Sequence, residues 1–232
     1  MRTPIEAVLP LLALLFFSAC APDISEPNDN LPSAQVQFIH AASTTEELDF
    51  AVMNTVGATL LYVQRGTQYG RQYRYHFFKT GERDFRLLLS GTTLNVARTI
   101  RTLEANTKLT ALAIDAGNTI DTLILMAQDT LATPSAGKAF IRFIHASSDA
   151  DIISITSQGV SIQNFARRDI SPYFTVDAGT REFTIQFSDN TALRIPQTFA
   201  SRGVYTLVIS GFRNPSGSQV PLNVSSFLET SL

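Results

Sequence analysis

Three histidines and one cysteine are all that this chain offers to soft-metal or imidazole chemistry, and two of the histidines stand in nearly the same words. His40 lies in Val36-Gln37-Phe38-Ile39-His40-Ala41, and His145 lies in Ile141-Arg142-Phe143-Ile144-His145-Ala146, 105 positions on (145 − 40). A histidine beside carboxylates can hold a divalent metal or act as a general base. The neighbouring carboxylates are Asp49 for the first copy and Asp149 and Asp151 for the second. Each set is thin, because a metal asks for three or four converging donors. The competing reading is structural. Each histidine follows a phenylalanine by two residues, leaves the same strand face toward the core, and there hydrogen-bonds backbone of the following loop. Ser147 and Ser148 adjoin His145, but no G-x-S-x-G elbow frames a nucleophile. Asp149 and Asp151 do not begin a calcium loop with its invariant glycine and terminal glutamate, and they suit a turn cap.

A second candidate is the aromatic-basic segment Tyr62, Arg65, Tyr69, Arg71, Tyr73, Arg74 and Tyr75. Rings interleaved with guanidinium groups can stack on sugars or meet anionic lipid or glycan. The same alternation also fits rings that fill a core or a domain interface while Arg74 points outward. The third candidate is Cys20. It follows a positive start, an apolar run from Val8 to Phe17, and Ser18-Ala19. That run is too short to span a bilayer and reads as an export signal. An exported orphan thiol cannot form an internal disulfide, and acylation accounts for it, with each buried CH₂ worth about 0.8 kcal/mol of membrane affinity.

The elements that position these groups are short strands with period-two alternation. A second matching stretch, Tyr75 to Leu87 over Tyr173 to Ile185, is displaced by 98 positions (179 − 81). Gly81 and Gly179 each fall between two strand-like runs, where a turn calls for positive φ. Gln37 and Arg142 fall on the polar face of half-buried strands, and Leu94–Leu103 reads as strand because its β-branched residues prefer extended backbone. Residues 1–19 are expected to be the signal peptide and 20–33 a Pro-rich tether. Residues 34–128 form one sandwich, 129–137 a linker with Pro134 and Gly137, and 138–232 a second sandwich. The fold class is all-β: two tandem antiparallel immunoglobulin-like β-sandwich domains of seven or eight strands each.

The run His145-Ala146-Ser147-Ser148-Asp149-Ala150, with Tyr173 and Val176-Asp177-Ala178-Gly179-Thr180, resembles the DUF4397 family. The resemblance implies extracytoplasmic β-sandwich domains of uncharacterised function, often in tandem and often in lipoproteins. It extends over both copies, more closely in the second. The family's common proline after the HAS serine is Ser148 here, and its strand aspartate is matched by Asp49 but replaced by Ser154 in the second copy. The resemblance brings no catalytic set and no cofactor.

A formal charge of −2 supplies no basic footprint for nucleic acid. The expected protein is therefore a non-catalytic lipoprotein of the bacterial cell envelope, at the outer membrane and facing the periplasm or the cell surface. Its partners are the membrane, through the N-terminal lipid, and an envelope protein or glycan. The alternative is an envelope metal-assisted hydrolase centred on His40 or His145.

Overall fold

The computed structural model describes residues 32–43, 47–115 and 122–229. The expected export signal, Cys20 and most of the expected tether lie outside them. The first eight strands are β1 (Ser33–His40), β2 (Leu48–Asn54), β3 (Leu60–Thr67), β4 (Arg71–Lys79), β5 (Gly81–Leu89), β6 (Asn95–Leu103), β7 (Lys108–Asp115) and β8 (Thr122–Gln128). A second set follows: β9 (Lys138–Ser147), β10 (Ile152–Ser157), β11 (Val160–Ala166), β12 (Phe174–Asp177), β13 (Gly179–Phe187), β14 (Ala192–Phe199), β15 (Val204–Gly211) and β16 (Asn223–Leu228). The two units repeat one strand order. Sheets β4-β1-β7-β8 and β3-β2-β5-β6 build the first, and β12-β9-β15-β16 and β11-β10-β13-β14 build the second.

Within each unit the chain turns from one sheet to the other between β4 and β5, and between β12 and β13. Gly81 and Gly179 make those corners at φ +111°, a conformation that side chains with a Cβ rarely adopt. The expected positive φ is therefore present at both places. The segment Asn95–Leu103 is strand, as its β-branched residues imply.

The expected antiparallel sandwich is in fact mixed. β1 runs parallel to β7, from Gln35 opposite Lys108 to His40 opposite Ala113, and β9 runs parallel to β15 in the same way. Each unit's first strand is inserted between β4 and β7 or between β12 and β15, and the long crossover through the second sheet permits parallel pairing.

Burial along the strands shows how the layers stack. β14 on an outer sheet alternates between exposed and half-buried residues, as a one-sided strand does. β7 is buried at every position. Its Leu109, Ala111 and Ala113 enter the first unit's core with Val36 and Phe38. Its Leu112 and Ile114 enter a different core, with Ile39, Ile144, Val208 and Phe227 from both units. Four sheets therefore stack around three cores, and the middle one is the seam between the units. Gln37 and Arg142, expected to face solvent, are each 1% exposed because the partner unit covers that face. A polar residue opposite an apolar face says nothing about what covers it.

Candidate functional site

Both histidines of the repeated run point into their own unit's core and are fully buried. Nδ1 of His40 lies 3.0 Å from the Thr67 carbonyl oxygen, a partner on β3 rather than on the loop that follows it. In the second unit the Ser147 amide donates to Nδ1 of His145 at 3.4 Å, and the ring stacks on Phe165. Nε2 of each ring is buried without a hydrogen-bond partner among the described residues. Burial lowers both imidazoles. It lowers His145 to about 4, with the Arg167 charge adding to the effect. Among the described residues no group of three or more His, Cys, Asp or Glu is placed to hold a metal ion.

The neighbouring carboxylates are occupied locally. Asp49 accepts from the Gly66 amide and the Ser90 hydroxyl, both at 2.8 Å, and ties β2 to its two neighbours. Asp149 accepts the amides of Arg213 and Asn214 and shapes the loop after β15. Asp151 pairs with Arg167 at 2.6 Å. None of the three is brought against a histidine ring nitrogen by a hydrogen bond among the described residues.

The aromatic-basic segment is divided by a bulge. Val36 pairs with His76 but Phe38 with Tyr73, so β4 spends one more residue than β1 across that step. Tyr73 therefore packs on Phe38 inside the first unit, whereas Tyr75 turns to the seam and donates to Asp129 Oδ2 at 2.6 Å. Tyr62 is buried with its hydroxyl 2.7 Å from His76 Nε2, and Tyr69 reaches Ser210 of the second unit at 2.8 Å. Arg65, Arg71 and Arg74 are exposed. The rings are thus core and seam filling, and no single face collects them with the guanidinium groups.

What sequence reasoning missed is the polar centre of the seam. Arg142 contacts Asp129 by a charge-assisted hydrogen bond and Glu229 Oε1 at 3.2 Å, and its Nε donates to Thr206 at 2.8 Å. The surroundings repeat between units. Tyr75 and Thr110 donate to Asp129, and Tyr173 and Thr206 donate to Glu229. Burial pushes the Glu229 carboxyl up, and Asp129 beside it adds to this against the pull of Arg142. Burial opposes the charge on Arg142, but Asp129 and Glu229 outweigh it and hold its pKa above the usual value. At another point of the seam, Ser43 and Ser148 both donate to Asp115 Oδ2, at 2.5 and 2.6 Å. The available signal was an arginine inside an otherwise apolar strand run, matched by an acid just past the last strand of each repeat.

No curated protein matches the chain. Among solved structures it is similar to the tip fimbrial protein Mfa3 from Porphyromonas gingivalis with C-terminal truncation, at 10% identity and TM-score 0.26, covering 85% of this chain and 99% of that one. It is also similar to CBMbc (family CBM26) from Eubacterium rectale Amy13K in complex with maltoheptaose, at 11% identity and TM-score 0.27, covering 86% and 98%. Similarity at this level assigns no ligand or partner. The family described as "Domain of unknown function (DUF4397)" matches residues 34–156, the whole first unit with β9 and most of β10, which is more than half of the chain, and the chain belongs to that family.

Proposed function

We propose that this chain is a non-catalytic module of the bacterial cell envelope, anchored by lipid on Cys20 and carried on a tether of residues 20–33. On this reading the second unit is a second copy of the family domain, and both units are immunoglobulin-like sandwiches. They act as one body that engages an envelope protein or glycan. The observation that carries the reading is how the reactive side chains are spent. His40, His145, Asp49 and Asp149 are all engaged by backbone groups of their own unit, and the charged centre is consumed in joining the units. A catalytic group must instead meet substrate or reacting atoms from a cleft.

The anchor is tested by Cys20→Ser. Without the sulfur no thioether forms, so the variant should leave the membrane fraction and lose incorporation of an acyl probe. Undiminished labelling of the variant would refute the lipoprotein assignment.

A further inference from the structure

One end of the seam opens into a cleft of about 520 Å³, bounded by the starts of β1 and β7, residues 130–133 and the β14–β15 turn. Clefts of roughly 300–1,000 Å³ at domain boundaries are the usual place for small ligands. Gln35 and Lys108 are register partners on the parallel strands, so both side chains leave the sheet on the seam side, and both line this cleft. Lys108 is only 8% exposed, and its Nζ lies 4.2 Å from the centre of the Tyr75 ring. No ion pair reaches it among the described residues. Lysine is seldom buried to this degree without an anion. Beside it, Gln35 Oε1 is buried with no donor among the described residues, another arrangement that costs free energy. A cation lacking an anion and an acceptor lacking a donor therefore stand side by side.

We infer that this cleft binds the free C-terminal carboxylate of a peptide that ends in an aliphatic residue. The carboxylate meets Lys108, the Gln35 carboxamide turns its Oε1 into the cleft to accept the last amide N–H, and the last side chain lies against Leu131 and Leu228. Those two leucines are 63% and 42% exposed and line the cleft. Among the described residues that line the cleft there is no aromatic ring, so these offer no stacking platform for a sugar. Arg202 at the rim adds a second positive charge. Glu229 also lines the cleft, but Tyr173, Thr206 and Arg142 hold its oxygens, which reduces its repulsion of an incoming anion. The inference deepens the binding-module reading by naming a site and a ligand class.

The test is calorimetric titration of the full chain in detergent with N-acetyl-glycyl-leucine and with its C-terminal amide. The free acid should bind at least tenfold more tightly than the amide. Lys108→Met should remove that preference, and Gln35→Leu should weaken the acid several-fold without lowering the unfolding midpoint. The Gln35→Leu result and the acid-to-amide ratio stand even where Lys108→Met fails to fold. Equal binding of acid and amide, no saturable binding, or an unaltered preference in folded Lys108→Met would overturn the inference. Tighter, Lys108-dependent binding of glucuronate would overturn the peptide class. None of these outcomes bears on the anchor at Cys20, so the site and the envelope reading fail separately.

Discussion

Burial lowers the His145 imidazole to about 4, whereas a histidine in an unfolded chain takes its proton near 6.5. Between those values the unfolded chain binds a proton that the folded chain refuses. The stability held by the neutral ring is therefore complete above about pH 6.5 and is lost as pH falls toward 4. His40 is lowered too and acts in the same direction. Glu229 acts oppositely, since its raised folded pKa favours the folded state as pH falls toward 4.5. Comparing wild type with His145→Gln at each pH removes Glu229 from the difference. The substitution should cost most above pH 6.5, and that cost should shrink by on the order of 3 kcal/mol on going to pH 4. Denaturant midpoints across that range provide the measurement. A pH-independent cost would mean that the ring titrates as an exposed histidine does. A zinc-dependent rise in the wild-type midpoint, absent from His145→Gln, would instead favour the metal-assisted hydrolase.

The connection between units combines exposed and buried positions. Residues 131–133 and 135–137 are exposed, whereas Asp129 and Pro134 are buried. On the reading of residues 129–137 as a linker, limited proteolysis should cut first within its exposed residues. The two fragments should nevertheless elute together under native conditions, held by Ile39, Leu112, Ile144, Val208 and Phe227. Separation on nicking would mean that the seam contributes little. The strands themselves were legible, because alternation marks an element's two faces: Val36 and Phe38 do enter the core, and Leu94–Leu103 is strand from Asn95 on. The identity of the cover on the second face was not legible, since it depends on contacts such as Arg142 with Glu229 that lie far apart in the chain. Nor was the β4 bulge, which places Tyr73 and Tyr75 on opposite faces in a segment whose alternation put them together. Of the candidate site, the inward placement of the two histidines could be read from their phenylalanine neighbours, but the Thr67 partner on another strand could not.

At the scale of the whole molecule, the seam joins two nearly equivalent faces. Ser43 and Ser148 are equivalent residues, 105 positions apart, and their hydroxyls lie 3.3 Å from each other, as matched residues do beside a two-fold axis. The equivalence fails at several charged positions: Gln37 of the first unit corresponds to Arg142 of the second, Lys108 to Val204 and Asp115 to Gly211. Two second units placed face to face would supply two guanidinium groups and two Glu229 carboxyls. Two first units would bring their Asp129 carboxylates together around glutamines, with no arginine between them. Isolated residues 138–232 should therefore form dimers, and residues 34–129 should stay monomeric at the same concentration, as sedimentation would report. Monomers in both cases would show that the face is not self-complementary. For chains crowded side by side, the difference between Gln37 and Arg142 acts as a key. The Asp129 of a first unit meets this arginine only on a second unit, and the nearest second unit is the one on its own chain. The arginine thus favours closure within each molecule over exchange of units between neighbours.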